Sequence, residues 1–165
     1  MEFFVTHQAV DHYSGDCSVA FASKDKSNDN RIIQTYLDLH RFEPKLGNTL
    51  MLGKVEGYKS KRVLVVGIGE SPLNRKNFIK VLKSLSSAMS NSKVKNVVIP
   101  FIEVEDADEA WIQTSTGRVL KNDGYKINKV GVKEEQSDIV LEAVNLYSKN
   151  NGATEIQKGV AIANG

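Results

Sequence analysis

The strongest constraint on the fold is the stretch from Lys61 to Ile102, which reads KRVLVVGIGESPLNRKNFIKVLKSLSSAMSNSKVKNVVIPFI. Arg62 to Ile68 is a nearly unbroken apolar run that leads into Gly67, Ile68 and Gly69. It is too short to span a membrane and suits a strand buried on both faces. Ser71 and Pro72 read as an N-cap and a first helical residue. Phe78, Val81, Leu82, Leu85 and Met89 then recur at helical spacing, so one face of that segment is apolar. A second strand run follows from Asn96 to Ile102. Strand, helix and strand with short connections form a βαβ unit.

The remaining segments are placed around this unit. Glu2 to Thr6 suits a short edge strand, His7 to Asp16 a polar loop, and Cys17 to Ala22 a buried strand of small apolar residues. Asn28 or Asp29 can cap a helix whose face carries Ile32, Ile33, Tyr36, Leu37 and His40, and Pro44 and Gly47 stop it. Thr49 to Val55 reads as a strand that returns through Gly57 to Lys61 into the central run, a hairpin that makes the sheet mixed. Beyond Ile102, the acidic turn Glu103 to Glu109 matches the dipole at the start of a helix from about Ala107 to Lys121. Ala110, Trp111, Val119 and Leu120 are available to its core face, and Gly117 weakens it by roughly 1 kcal/mol relative to alanine. Asn122, Asp123 and Gly124 are expected to end it, and Lys126 to Val132 then reads as a weak strand. Ile139 to Tyr147 fits a helix or a strand, Asn150 to Gly152 a turn, and Ala153 onward the start of a helix that ends in mid-pattern, as in a fragment.

A chain of 165 residues suffices for one domain with a real core. Its 22 basic and 20 acidic residues leave a net charge of +2, spread along the sequence, which argues against a nucleic-acid or membrane-surface partner. Cys17 is the only cysteine, so no internal disulfide can form and a reducing compartment is the simpler reading. The opening MEFFVTHQAVDHYSGD lacks the basic region and apolar stretch of a secretory signal, and no segment is long enough to span a bilayer. The expectation is a soluble, cytoplasmic protein.

Chemical signals are sparse. The Gly67-Ile68-Gly69-Glu70 turn could offer backbone N–H groups to a phosphate. It lacks the third glycine of a dinucleotide fingerprint and the lysine of a P-loop, and Glu70 would repel an anion, so tight strand–helix packing explains it better. His7 and His12 share a polar loop with Asp11 and Asp16, but nothing in their spacing defines a metal site, and His40 reads as a boundary residue of a helix. Cys17 lies in an apolar strand and reads as a structural thiol. The carboxylates from Glu103 to Glu109 read as a solvated, dipole-matched turn, and Lys59, Lys61 and Arg62 as edge protection. Gly-x-Ser-x-Gly, His-Glu-x-x-His and Cys-x-x-Cys motifs are absent. No catalytic, cofactor-binding or metal-ligating residue is assigned.

The order of segments resembles a known family. Lys45-Leu46-Gly47-Asn48-Thr49-Leu50-Met51-Leu52 followed by Arg62-Val63-Leu64-Val65-Val66-Gly67-Ile68-Gly69 is similar to the K-x-G-x-T-L-L-L and R-V-L-L-V-G-L-G stretches in the N-terminal domain of leucyl aminopeptidases, the cytosol aminopeptidase family. Leu73 and Asn74 match the start of the family's next helix. The tail Glu155-Ile156-Gln157-Lys158-Gly159-Val160-Ala161-Ile162-Ala163-Asn164-Gly165 is similar to its linker helix, A-I-x-x-G-x-A-I-A-x-G.

The resemblance implies a three-layer α/β/α, macro-domain-like sandwich with a mixed central sheet over residues 1–152, and a strand at Ile139 to Tyr147. Residues 153–165 would begin the linker to a C-terminal catalytic domain that this chain lacks. The parent would be a metallo-aminopeptidase using two divalent ions (zinc, manganese or magnesium) to remove N-terminal amino acids, leucine among the preferred, from peptides. The family's catalytic signature, N-T-D-A-E-G-R, is absent here, so this chain alone is expected to be inactive. Its partners would be the catalytic domain and the other subunits of a homohexamer, with roles in supporting assembly and access to the active site. DNA binding, ascribed to this region in some bacterial members, gains nothing from the near-neutral charge. The alternative is a stand-alone macro-type module binding ADP-ribose or a related nucleotide, which should show glycine-rich phosphate loops at two strand ends.

Overall fold

The computed structural model describes residues 1–26, 28, 30–130 and 141–148. Its centre is β4 (Arg62–Gly69), the apolar run, in which every residue from Val63 to Gly69 is buried. β2 (Cys17–Ser23) lies parallel on one side of it and β3 (Thr49–Leu52) antiparallel on the other. β5 (Asn96–Ile99), β6 (Ala143–Tyr147) and β1 (Glu2–Thr6) extend the sheet with parallel pairings, in the order β1-β6-β5-β2-β4-β3. The sheet is thus mixed, with the β3–β4 hairpin as its antiparallel element and β1 at an edge, as the sequence predicts.

Alternation along the strands divides the core into two layers. Leu64, Val66 and Ile68 pack with α2 (Arg75–Asn91) and α3 (Glu109–Val130) on one face. Val63 and Val65 pack with Ile33 and Leu37 of α1 (Arg31–Leu39) on the other. The result is the expected three-layer α/β/α sandwich. On α2 the predicted stripe Phe78, Val81, Leu82, Leu85 and Met89 is buried throughout, and burying each such side chain contributes about 1.5–3 kcal/mol.

The βαβ unit exists, but β4 and β5 are not neighbours. β2 lies between them and pairs with both. Periodicity locates strands without ordering them. Glycine shapes the way the chain passes over β4. A Cβ at Gly67 would lie 2.3 Å from the Lys45 carbonyl oxygen, and Gly69 has φ +71°. The segment Pro44–Asn48 crosses at that close approach, with the Gly67 N–H donating to the Asn48 carbonyl (2.7 Å) and the Gly69 N–H to the Pro44 carbonyl (3.0 Å).

Several boundaries differ from the sequence reading. Asn30, not Asn28 or Asp29, caps α1, its side chain accepting from the Ile32 and Ile33 amides. Asn28 accepts from the Asn30 N–H instead (2.9 Å) and so shapes the approach to the helix. Ser71 and Pro72, joined by a cis peptide, precede α2, and Asn74 is its cap, accepting from the Asn77 amide at 2.7 Å. β3 ends at Leu52 rather than Val55, and β5 at Ile99 rather than Ile102. α3 begins at Glu109, capped by Asp108 through the Trp111 amide (2.8 Å), and runs on to Val130. That overturns the stop at Asn122–Gly124 and, as far as Val130, the strand proposed over Lys126 to Val132, whose last two residues lie outside the described residues. Asn, Asp and Gly each lower helix propensity by no more than about 1 kcal/mol, which a helix already packed along one side can absorb. β6 confirms the strand implied by the family resemblance. The first residues of Ile139 to Tyr147, the turn at 150–152 and the tail at 153–165 lie outside the described residues.

Candidate functional site

The two ends of the parallel strands have different chemistry. At their N-terminal ends the polar groups satisfy one another. Arg62 Nη2 donates to Asp16 Oδ2 (2.9 Å) and its Nε to Asp16 Oδ1 (3.2 Å), while Nη1 reaches the Ser92 carbonyl (2.8 Å). The Lys95 amide donates to the same carboxylate at 2.8 Å. Burial works to raise the Asp16 carboxyl, but these hydrogen bonds and the charges of Arg62 and Lys61 outweigh it and hold it below the usual carboxylate range. Beside them the Tyr13 hydroxyl and the Asp16 N–H donate to Asn96 Oδ1 (2.8 and 2.7 Å). Burial pushes the Tyr13 phenol up against the hydrogen bond from Asn145.

This arrangement corrects the reading of Arg62 as edge protection. It stands on a central strand and ties three segments together. It also disperses the histidine loop. Asp16 is committed to Arg62, and His7 Nδ1 lies 2.6 Å from the Ser148 carbonyl. His12 closes a short 3₁₀ turn over Val10–His12, and His40 is the exposed C-cap of α1. Among the described residues, no group of three or more His, Cys, Asp or Glu is placed to hold a metal ion. These residues therefore offer no ligand set for the divalent ions that the resemblance implies. Cys17 is buried, and burial raises its thiol to about 12. That leaves it protonated and unreactive at neutral pH.

The C-terminal ends of the strands open into grooves, the usual ligand position in open α/β sheets. The segment Pro100–Glu105 runs along them, with Phe101 common to four adjoining hollows. On one side stands the Gly67–Gly69 turn, whose amides are already used by Pro44 and Asn48. The next free amide, that of Ser71, donates to Asp25 Oδ1 (3.0 Å), and the Ser71 hydroxyl donates to the same carboxylate. These bonds hold the Asp25 carboxyl below its ordinary value. The amides of Gly67 and Gly69 are thus committed to the backbone, in keeping with the packing reading of these glycines, and the Ser71 amide beyond them is held by Asp25. On the other side Glu103, Glu105, Asp108 and Glu109 rim a hollow that, among the described residues, has no Lys, Arg or His in its lining. Such a rim does not suit a nucleotide diphosphate. Glu109 accepts from the Ser148 hydroxyl (3.0 Å), so this carboxylate does more than match the helix dipole.

Gln113, Asp25 and the full role of Asp16 are not visible in the sequence. The bonds of Asp16 to Arg62 and of Asp25 to Ser71 each span 46 residues, the Gln113 side chain has no hydrogen-bond partner among the described residues, and no short spacing marks any of them.

Comparison with known proteins places the chain. A model of the cytosol aminopeptidase family, N-terminal domain, matches residues 10–131. The chain is 31% identical over 165 residues to a probable cytosol aminopeptidase of Vesicomyosocius okutanii, covering all of this chain and 34% of that protein. It is 30% identical over 179 residues to one of Buchnera aphidicola, covering 98% of this chain and 36% of the relative. Among solved structures, a tomato leucine aminopeptidase mutant (K354E) superposes with a TM-score of 0.75 at 11% identity, over 99% of this chain and 36% of that one. That last likeness speaks for the fold. The protein is an α/β domain built as the front part of a larger enzyme family is built. It belongs to the cytosol aminopeptidase family, as an N-terminal domain. The chain spans about a third of the length of these relatives, and the comparisons give the free nucleotide-binding module no support.

Proposed function

We infer that this chain serves as the non-catalytic N-terminal domain of a two-metal leucyl aminopeptidase that removes N-terminal amino acids from peptides. The observation that carries the reading is full-length alignment of this chain with the opening third of curated aminopeptidases. Residues 1–152 would form the macro-like domain and 153–165 the start of the linker to the catalytic half. Two divalent ions held in that half would activate water and polarise the scissile carbonyl. This domain would support a homohexamer and restrict access to the active sites within it, in the cytoplasm and without nucleic acid or membrane as partner. No helix among the described residues is long and apolar enough to cross a membrane.

The test joins the chain to the coding sequence downstream of it. The longer protein should hydrolyse L-leucine p-nitroanilide after loading with manganese or zinc and elute as a hexamer, and the 165-residue chain should do neither. A longer protein that forms hexamers but cleaves no aminoacyl substrate with any divalent metal would sink the catalytic reading. An active monomer would sink the assembly role alone.

A further inference from the structure

The sheet ends on one side at β1, whose outer edge meets no other strand among the described residues. On its inner edge the Glu2 N–H donates to the Glu142 carbonyl (2.8 Å), and the Thr6 carbonyl accepts from the Ser148 N–H (3.0 Å). Successive residues of a strand present their peptide groups to opposite edges. Glu2, Phe4 and Thr6 therefore bond to β6, while the N–H and C=O groups of Phe3 and Val5 face outward. Soluble proteins blunt such an edge with lysine, proline or a bulge. Glu2–Thr6 has none of these: it reads EFFVT, and its register with β6 is unbroken.

The side chains of β1 divide between the two faces of the sheet. Phe3 and Val5 pack against the core beneath α2 and α3. Phe4 stands on the opposite face, where the cluster beneath α1 takes its strand residues from β2, β3 and β4 and none from β1. Phe4 is accordingly 47% exposed, and it and Leu39 are the exposed large hydrophobic residues among those described. An unpaired backbone edge and an apolar ring thus stand at the same place.

We propose that β1 is an isologous docking edge, at which a second copy of this chain adds its own β1 antiparallel and two six-stranded sheets become one. The strand suits its own copy better than an arbitrary extended segment. With the two-fold axis at Phe4, Phe3 of each copy stands opposite Val5 of the other, and the outward groups of each such pair exchange both their hydrogen bonds. Phe4 meets Phe4 in the intervening non-hydrogen-bonded pair, where Cβ atoms lie about 4.5–5.5 Å apart and the ring loses its exposure. Glu2, the one charged residue of the strand, falls opposite Thr6 and not opposite itself. A strand pair of this length buries less than the roughly 1,200 Å² of a standard interface, so the dimer is weak, with a Kd on the order of 100 µM. The inference rests on this edge alone and stands apart from the activity of the parent protein.

Sedimentation equilibrium of the 165-residue chain, from roughly 10 µM to 1 mM, should show monomer passing to dimer. Over the same range ¹⁵N–¹H NMR should show the Phe3 and Val5 amides shifting and gaining protection from exchange. Phe4→Lys sets like charges against each other at the axis and should weaken association at least tenfold, with the unfolding midpoint retained. Thr6→Glu, which keeps an acceptor for the Gln8 N–H, brings a carboxylate opposite Glu2 of the second copy and should weaken association similarly. Glu2→Lys added to Thr6→Glu should restore it. That restoration separates pairing from any general loss of stability and decides the matter if Phe4→Lys misfolds. A chain that stays monomeric throughout would overturn the proposal and leave the edge to a different polypeptide. Phe3 and Val5 amides already protected in the dilute monomer would overturn it too, since the chain would then cover its own edge. So would a dimer in which those amides exchange freely, or a double variant that associates no better than Thr6→Glu.

Discussion

The two ends of the parallel strands solve the same problem in opposite ways. Each end exposes strand termini and connecting loops rich in polar groups. At the N-terminal end Asp16, Arg62, Lys95, Tyr13 and Asn96 pair off, and the loops are tied into the sheet. At the C-terminal end Glu103, Glu105, Asp108 and Glu109 gather around one hollow, and the Gln113 amide has no hydrogen-bond partner among the described residues. Satisfied polar networks stabilise and specify a structure, whereas unsatisfied ones mark places where stability has been given up. The first end reads as scaffold and the second as surface for something else.

The largest effect tests what shapes the C-terminal end. Gly67→Ala puts a methyl group 2.3 Å from the Lys45 carbonyl oxygen, a backbone atom with little room to yield. The expected loss is on the order of 3 kcal/mol in urea unfolding; a loss under about 1 kcal/mol would mean that the Pro44–Asn48 crossing is readily displaced. Next, Arg62→Ala removes the hub of the N-terminal end and strands the Asp16 carboxylate. The expected destabilisation is about 2 kcal/mol, below that of a fully buried pair because both side chains retain some exposure. Asp16→Asn in the same background should cost far less than it does alone, and additive losses would show that the pair is not coupled.

The sign of the pH dependence follows from Asp16. Its folded-state pKa is depressed, so its contribution is present above the unfolded carboxylate pKa and lost as pH falls through the folded value. Wild-type stability should decline in acid below about pH 4, and Arg62→Ala should flatten that decline. Cys17 acts at the other extreme. Its thiol is raised from 9.0 to about 12, so its contribution is intact below pH 9 and lost as pH rises toward 12. A disulfide reagent should therefore label Cys17 only at the rate of unfolding, and rapid labelling of the native chain at neutral pH would contradict its burial. The smallest effect belongs to Ser71→Ala at the C-terminal end. Asp25 is fully exposed there and its bonds to Ser71 compete with water, so the unfolding midpoint should not move measurably, in contrast to Arg62→Ala.

Much of this fold was legible because burial imposes a period on sequence. The Arg62–Gly69 strand, the α2 stripe from Phe78 to Met89 and the β3–β4 hairpin announce themselves in a few residues each. The cap positions were less legible, because Asn28, Asp29 and Asn30 are chemically near-equivalent and only the path of the chain selects Asn30. The length of α3 was misjudged because Asn122-Asp123-Gly124 looks like a stop. Of the site, the acidic run Glu103–Glu109 was visible as charge, while its place on the rim of a hollow was not.

The sequence alone determined the apolar strand, the helices that cover it, the absence of disulfide stabilisation within the chain and the family to which these segments belong. Those properties depend on local periodicity, on composition and on residue order, which one dimension records. Tertiary structure decided that β2 inserts between β4 and β5, that Arg62 meets Asp16, that Asp25 meets Ser71, and that Gln113 has no side-chain partner among the described residues. Each of these is a relation between residues distant in the chain. Their energies exist only once packing has brought the groups together and removed the water that would otherwise satisfy them.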